Sequence, residues 1–284
     1  MATTTTDIVG IDGVVTTIGD NGTATIQAGT TATPNTNTAT GTTVEGDAIA
    51  TATTVQQVGA LDSTFEIGNA GTVSVSEVST TTATATNVGA DTFDSLATAE
   101  YTKNTGGILD IAGAVGTDIT IGAGGVVGVT VDNTATATAN SIAGDATALS
   151  DFAQGSYGLL DTAIVAGAGG SVSASLDANA TATAVTVGDP AGATVPANAT
   201  ADATFTDTTA AIFASAAGLG DITIGNGGSV IATAGVTADP LSLSASATST
   251  TGDADSNADA TTVAGIGGVD SNIIIGNAGV VTGA

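Results

Sequence analysis

A five-residue motif that returns about every 50 residues is the feature of this sequence that most constrains its fold. The motif has the form apolar-Gly-x-x-Gly, and its successive first glycines are 49, 54, 45, 58 and 51 residues apart. The motif glycines are Gly19, Gly22, Gly68, Gly71, Gly122, Gly125, Gly167, Gly170, Gly225, Gly228, Gly276 and Gly279. A period of this length is typical of repeat proteins, in which each repeat stacks on the next.

Three further features keep phase with the motif. An alternating run such as Val73-Ser74-Val75-Ser76 follows it, then a Thr/Ala alternation such as Thr134 to Thr138, and then a corner such as Gly46-Asp47. Alternation with a period of two predicts β-strands, and Gly, Asn and Asp at the junctions predict turns with positive φ. The two repeats with the longest path from motif to corner contain Pro34 and Pro240, which predicts loops inserted into a regular scaffold.

The sequence therefore predicts an all-β fold, namely an elongated β-solenoid built from repeats of about 50 residues. Each repeat is expected to form two coils, because the length of half a repeat is that of one β-solenoid coil. A β-sandwich is the alternative, but it would need bulkier inward side chains. The apolar residues are mostly Ala and Val, and aromatic residues make up only 2% of the chain, so they can fill only a narrow core. The predicted division is an N-terminal edge segment at 1–13, five repeats at 14–271 and a partial sixth repeat at 272–284.

The charge balance excludes several classes of partner. The chain carries 27 acidic residues and a single base, Lys103, for a formal net charge of −26. Nucleic-acid binding and attraction to anionic membranes both need Lys or Arg, so neither is expected. The N-terminus lacks the basic and apolar regions of a cleavable signal peptide, and no segment has the about 20 apolar residues of a membrane helix. We expect no membrane insertion.

The glycine motif and the acidic residues suggest two kinds of site, a phosphate loop and a glycosidase acid pair. The Gly-x-x-Gly motif is interpreted as a β-turn rather than a phosphate loop, because no Lys-Ser/Thr follows it. The pairs Asp145 with Asp151 and Asp253 with Asp255 are candidates for a glycosidase acid pair, but the near absence of aromatic platforms favours a protein that is not an enzyme. No cofactor other than calcium is indicated.

A calcium site is the one metal hypothesis that the sequence supports. Asp253, Asp255 and Asp259 lie close together, and calcium binds several oxygen ligands. The other interpretation is that these aspartates bond their own backbone at a corner.

The Thr/Ala alternation has three interpretations. It could form a flat threonine array, which resembles the threonine ladders of ice-binding β-solenoids. The same array could be a contact between subunits. Threonine is also simply a good residue for an exposed strand.

The two ends of the repeat array are candidates for assembly. Strand edges that lack a polar or helical cap offer a template for a further subunit, and head-to-tail contacts give open filaments. The expected partners are further copies of the chain, joined head-to-tail by strand addition, or other virion or surface proteins. The candidate assembly residues are Val14, Val15, Ile18, Ile273, Ile274, Ile275, Val280 and Val281.

The units such as Ile222-Thr223-Ile224-Gly225-Asn226-Gly227-Gly228, the scarcity of lysine and the Thr/Ala strands together resemble the low-complexity repeats of phage fibres and appendages, especially marine ones, and of bacterial surface proteins exported without a cleaved signal. The resemblance implies a non-enzymatic structural subunit of an extracellular filament or a virion appendage. The alternatives are an adhesin or ice-binding solenoid that uses its threonine faces, and an acid-pair glycosidase.

Overall fold

The computed structural model describes residues 2–8, 11–12, 14–29, 32–61, 63–89, 93–109, 117–153, 156–160, 162–187, 197–206, 208–213, 222–234, 242–260, 263–264 and 273–283. Within these ranges every regular element is a β-strand, so the prediction of an all-β protein is confirmed. No helix that could cross a membrane occurs in these same ranges.

The described residues form 24 strands. They are β1 Ala2–Ile8, β2 Ile11–Asp12, β3 Val15–Ile18, β4 Thr23–Ala28, β5 Asn35–Thr43, β6 Ala48–Leu61, β7 Thr64–Ile67, β8 Thr72–Asn87, β9 Ser95–Leu109, β10 Thr117–Ile121, β11 Val126–Ser141, β12 Ala146–Ala153, β13 Ser156–Leu160, β14 Thr162–Ala166, β15 Ser171–Thr186, β16 Ala199–Thr206, β17 Thr208–Phe213, β18 Ile222–Ile224, β19 Ser229–Ala234, β20 Ser242–Ser249, β21 Ala254–Ala260, β22 Val263–Ala264, β23 Ile273–Ile275 and β24 Val280–Gly283.

The strands form three parallel sheets, and each of the five repeats from β3 to β22 contributes to all three in the same order. The six-stranded sheet contains β3, β7, β10, β14, β18 and β23. The eight-stranded sheet contains β4, β5, β8, β11, β15, β19, β20 and β24, and the ten-stranded sheet contains β1, β2, β6, β9, β12, β13, β16, β17, β21 and β22. We call the strands that one repeat contributes a rung. The glycine motif leads from the six-stranded to the eight-stranded sheet, and the Gly-Asp corner leads from there to the ten-stranded sheet.

The pairing register shows that hydrogen-bonded neighbours lie one whole repeat apart. Phe65 pairs with Thr16 in the repeat before it and with Ile119 in the repeat after it. The prediction of two coils in each repeat is therefore wrong. The two halves of a repeat lie in different sheets. Each half pairs with the equivalent half of the neighbouring repeats, because its side chains match those of that half. In this register Ala83 pairs with Ala39 and with Ala137.

The core is narrow where the two large sheets face each other and wider beside the six-stranded sheet. Fully buried alanines such as Ala83 and Ala137 in the eight-stranded sheet pack in the same core as Ala97 and Ala148 in the ten-stranded sheet. The largest fully buried side chains belong to the six-stranded sheet, namely Phe65, Ile119, Ile164, Ile222 and Ile224. Small side chains fill the narrow part because two sheet backbones approach too closely there for larger ones.

The loop predicted from the longer repeats is present in the first of them. In the eight-stranded sheet β8, β11 and β15 run without interruption, whereas the first repeat divides the same path into β4 and β5. Pro34 lies between these two strands. The fifth repeat is divided in the same way into β19 and β20, and its Pro240 lies outside the described residues.

All six glycine motifs form the same tight turn, in which the N–H of the second motif glycine donates to the carbonyl of the first motif glycine over 3.0–3.2 Å. The positive φ belongs to the residue just before the second motif glycine, for example Asn21 or Ala70, and not to the two motif glycines. Apart from Gly19, the motif glycines are instead required for space. A Cβ on Gly71 would lie 1.6 Å from Ile67 Cγ2, and a Cβ on Gly68 would lie 2.4 Å from Asp20 Oδ1 in the preceding rung.

Candidate functional site

A ladder of side-chain oxygens runs along the Gly-Asp corner and joins successive rungs. Asp47 Oδ1 accepts the backbone N–H of Asp94 over 3.2 Å, and Asp94 Oδ1 accepts that of Asp145 over 2.9 Å. Asp145 Oδ1 accepts the N–H of Asn198 over 2.7 Å, and Asn198 Oδ1 accepts that of Asp253 over 3.0 Å. Each corner residue thus satisfies a backbone donor of the next rung that no strand partner reaches.

A second, shorter ladder follows the glycine turns. Asp20 Oδ1 accepts the N–H of Asn69 over 2.8 Å, and Asn69 Oδ1 accepts that of Ala123 over 3.0 Å. The pattern returns where Asn226 Oδ1 accepts the N–H of Asn277 over 2.8 Å. Asp and Asn at these turns therefore bond the backbone of the following rung rather than their own.

The residues of the calcium hypothesis do not converge on one point in the described part of the chain. Asp253 lies at the corner, Asp255 lies exposed on β21, and the side chain of Asp259 lies outside the described residues. No group of three or more acidic side chains able to hold a metal ion occurs within the described ranges. Calcium binding at Asp253, Asp255 and Asp259 therefore stays a hypothesis from the sequence.

A shallow groove of about 260 Å³ runs along the corner, lined by Asp47, Asp94 and Asp145 together with Ile49, Leu96 and Thr147. One candidate acid pair lies beside it. Asp145 and Asp151 are six residues apart along an extended strand, roughly 20 Å, whereas glycosidase carboxyls lie about 5–10 Å apart. Asp151 Oδ1 also accepts the hydroxyl of Thr204 over 2.6 Å, so this pair does not fit that chemistry.

The predicted assembly residues lie at opposite edges of the described sheets. β3 and β23 are the first and last strands of the six-stranded sheet, and β4 and β24 are terminal strands of the eight-stranded sheet. Val14, Val15, Ile274, Val280 and Val281 are exposed, at 73% for Val15 and 60% for Ile274. Ile18 and Ile275 are partly buried against the core, and the side chain of Ile273 lies outside the described residues. The structure thus separates the two groups of residues, as head-to-tail contact requires.

Gly19 differs from the other first-position motif glycines in what surrounds it. A Cβ on Gly68, Gly122 or Gly276 would lie 2.4–2.6 Å from the turn of the preceding rung, whereas a Cβ on Gly19 meets no described atom within 4 Å. Among the described residues, nothing therefore covers the first turn on the side where every later turn receives a neighbour.

The eight-stranded sheet presents an uncharged, regular array of hydroxyls on its outer face. Pairs of threonines separated by one inward alanine stack in register on four successive strands. The members are Thr38 and Thr40, Thr82 and Thr84, Thr136 and Thr138, and Thr181 and Thr183. Neighbouring strands are about 4.8 Å apart and alternate residues about 6.8 Å apart, so the hydroxyls lie in regularly spaced rows.

A buried carboxyl in β8 is the feature that sequence reasoning missed. Glu77 is fully buried at an inward position, in the same alternating series as Val73 and Val75. Burial raises the pKa of this carboxyl to about 8, and the neighbouring Asn133 side chain lowers it by less. The signal was available in the sequence, because Glu77 falls on the inward phase of the Val-x-Val alternation.

Comparison with protein-family models, curated proteins and solved structures finds no match for this chain.

Proposed function

We propose that the chain is an elongated β-solenoid in which each repeat makes one three-sided turn, and that it acts as a non-enzymatic structural subunit. Copies join head-to-tail into an extracellular filament or a virion appendage. The observation that carries the proposal is the open side of Gly19, because every equivalent glycine in the later rungs packs against a preceding turn.

The interior rungs supply the hydrogen bonds expected at such a joint. Between neighbouring rungs the N–H of Gly276 donates to the carbonyl of Ile224, and the N–H of Gly227 donates to the carbonyl of Asn277. Continued across a joint, the same pattern has Gly19 donating to Ile275 of the preceding copy. Asn277 Oδ1 of that copy would accept the N–H of Asp20, as Asn226 Oδ1 accepts that of Asn277.

The outer strands are also stepped in a complementary way. β1 and β2 extend the ten-stranded sheet one rung beyond β3 and β4, while β23 and β24 extend the other two sheets one rung beyond β21 and β22. A following copy would therefore place its β1 and β2 in the layer that β23 and β24 occupy. Among the described strands, the second half of the eight-stranded sheet, between β20 of one copy and β5 of the next, would be one strand short.

Charge makes this assembly dependent on ions. A subunit with a net charge of −26 repels its copies, and salt screens that repulsion over a Debye length of about 10 Å at 0.1 M. The exposed apolar side chains at the joint, including Val15 and Ile274, favour contact once the repulsion is screened.

The test is negative-stain electron microscopy and sedimentation velocity of the full chain in moderate salt, with Gly19→Ala and Gly68→Ala. We expect rods that lengthen with concentration in the wild type and single folded subunits for Gly19→Ala, because its added methyl group obstructs only the joint. The matched Gly68→Ala change places the same methyl group between two rungs of one chain and lowers the thermal midpoint. Unchanged filaments from Gly19→Ala, or a wild type that stays monomeric, would contradict the proposal.

The threonine grid supports a second candidate function, an adhesin or ice-binding surface. Its uncharged rows of hydroxyls with regular spacing would match the surface of an ordered lattice such as ice. Thermal hysteresis of the wild type that disappears in Thr136→Leu with Thr138→Leu, while filaments persist, would favour this function. Loss of filaments in the same variant, with no hysteresis in the wild type, would instead assign the grid to contacts between subunits.

A further inference from the structure

One outer face of the eight-stranded sheet is built without charge, on a chain whose net charge is −26. The face lies over the second half of the sheet, from β5 to β20, and it contains the threonine grid. We call it the uncharged face. Its members are the five alternate, outward residues in each of the stacked ranges 36–44, 80–88, 134–142, 179–187 and 242–250, and all of them are Thr, Ser, Asn, Val or Ile.

Outward strand positions elsewhere in the protein do carry charge. Glu100, Asp151 and Asp202 lie partly exposed on the outer face of the ten-stranded sheet. Acids also border the uncharged face on both sides, with the corner ladder along one edge and Asp132 and Asp177 along the other. The protein thus accepts acids on its strands, and the centres of protein–protein contacts are typically depleted of them. The composition of the uncharged face is therefore that of a covered surface.

The edge of this face beside the corner is an apolar row. Val44, Val88, Ile142 and Val187 directly follow the ends of β5, β8, β11 and β15, so they stack along the corner. The three valines are 62%, 47% and 60% exposed, and Ile142 is partly exposed. A single exposed valine is ordinary, but a contiguous apolar row beside polar residues is typical of a binding surface.

The chemistry of the face identifies a second copy of the chain as its partner. A hydroxyl group both donates and accepts hydrogen bonds, so rows of threonine satisfy other rows of threonine without any charge. The apolar row is likewise complementary to itself. A basic partner would need acids within the face to pair with, and none of the positions of the face holds one.

We propose that two copies pair side by side through their uncharged faces, related by a two-fold axis that runs along β11. This axis places each row opposite its own equivalent, so the apolar row packs on the apolar row. It reverses the order of the strands, so β8 faces β15 of the second copy and β11 faces itself. Thr138, at the centre of the face, then lies opposite Thr138 of the second copy. The strands of the two sheets run in nearly the same direction, as in aligned sheet packing, and the contact closes at two copies.

The face is large enough for such a contact. Five strands about 4.8 Å apart and five alternate positions about 6.8 Å apart give roughly 19 by 27 Å, or about 500 Å² per copy. The two copies together then bury about 1,000 Å², which is the lower limit for a specific interface.

The bordering acids make the pairing dependent on salt. The two-fold axis brings the corner ladders of the two copies to the same edge, where they repel each other. The pair is therefore weak in moderate salt and forms at about 1 M salt, where the Debye length is about 3 Å. This inference does not depend on head-to-tail assembly.

The test uses the absence of cysteine from the chain, because a single introduced thiol then reports the contact. The full chain carries Gly19→Ala, to block the proposed head-to-tail joint, and is studied in about 1 M sodium chloride. Packed sheets are about 10 Å apart, so a short bismaleimide should join Thr138→Cys chains into covalent pairs. Thr98→Cys is the matched control, a partly exposed threonine on the outer face of the ten-stranded sheet. We expect roughly tenfold more covalent pairs from Thr138→Cys, because pairing raises the effective concentration of its thiols.

Sedimentation velocity tests the same contact without a crosslinker. The Gly19→Ala chain should sediment at twice the mass of one chain, and adding Thr138→Asp should return it to single chains. Thr98→Asp adds the same charge outside the face and should leave the pairs intact. Circular dichroism of each variant verifies that it is folded.

A mixture of two variants tests the direction of the axis. Because β8 faces β15, Val88→Cys chains mixed with Val187→Cys chains should crosslink more than either variant alone, and equal yields would overturn the two-fold axis along β11. Equal crosslinking at positions 138 and 98, or single chains at every protein concentration in 1 M salt, would overturn the pairing itself. Single chains that show thermal hysteresis would assign the face to a lattice such as ice instead. Long rods from Gly19→Ala would contradict the head-to-tail joint, while the crosslinks at position 138 would still decide this inference.

Discussion

Asp94 Oδ1 accepts the backbone N–H of Asp145 over 2.9 Å, and the two residues occupy the same corner in successive rungs. The acceptor is needed at this corner, but its charge is not, because Asn198 fills the same role two rungs after Asp94. We expect Asp94→Ala to lower the free energy of unfolding by about 1 kcal/mol, the usual worth of one hydrogen bond. Asp94→Asn should keep the bond, relieve repulsion from Asp47 and Asp145, and raise stability most at low salt. Urea unfolding at two salt concentrations measures both effects, and equal losses in the two variants would contradict this role.

The alanine ladder predicts a steep difference between adjacent positions of β11. Ala137 is fully buried between Ala83 and Ala182 in neighbouring rungs, whereas Thr138 lies on the outer face. Ala137→Leu should cost at least about 1–3 kcal/mol, since two packed backbones leave no room for a larger side chain. Thr138→Leu, its matched control, should change stability by less than about 0.5 kcal/mol. Thermal unfolding by circular dichroism separates the two, and equal effects would mean that the sheets are not closely packed here.

Glu77 predicts a loss of stability as the pH rises. The pKa of this carboxyl is raised from 4.5 to about 8 in the folded protein, so the folded chain keeps a proton that the unfolded chain releases. The contribution of Glu77 to the free energy of unfolding should therefore be highest below pH 4.5, fall by up to about 1.4 kcal/mol per pH unit between pH 4.5 and 8, and level off above that range.

The comparison with Glu77→Gln isolates this contribution, because the variant keeps every other acid. We expect the difference in slope between the two chains to lie between pH 4.5 and 8, measured by urea unfolding at a series of pH values. Identical pH profiles for the two chains would show that Glu77 is not buried as a neutral acid.

Ions are expected to stabilise the fold by screening alone. Each corner aspartate from Asp47 to Asp145 already uses one carboxylate oxygen on the next rung, and no three acids converge in the described ranges. Sodium, magnesium and calcium chlorides at matched ionic strength should raise the thermal midpoint equally. A calcium-specific rise that Asp255→Asn removes would instead support a site at Asp253, Asp255 and Asp259.

The sequence was sufficient to predict the all-β class, the positions of the glycine-motif turns and the first inserted loop. These follow from local chemistry, namely period-two alternation and glycine at close approaches such as Gly71. The number of coils in each repeat was not predicted correctly, because alternation identifies a strand but not its partner. The partner is chosen by matching side chains one repeat away, for example Ala137 on Ala83, and the half-repeat length suggested a coil of the wrong size.

The candidate sites were predictable to different degrees. The threonine rows follow directly from the Thr-Ala alternation, and exposure of Val15 and Ile274 agrees with the expectation for edge strands. The cross-rung use of Asp94 required knowledge of which corners stack. Glu77 was missed because a charged residue in a strand is normally outward, and only counting its phase against Val75 identifies it as buried.

Pairing across a whole repeat also governs how the protein must fold. Thr64 meets Val15 only after all of the chain between them has closed on itself, so the first rung forms against a large loss of chain entropy. Once one rung exists, its edge orders the next, and folding proceeds by templated addition instead of new loop closure. A folded copy that exposes such an edge would therefore act as a nucleus for newly made chains, and their slow initiation step would be avoided wherever that nucleus is present.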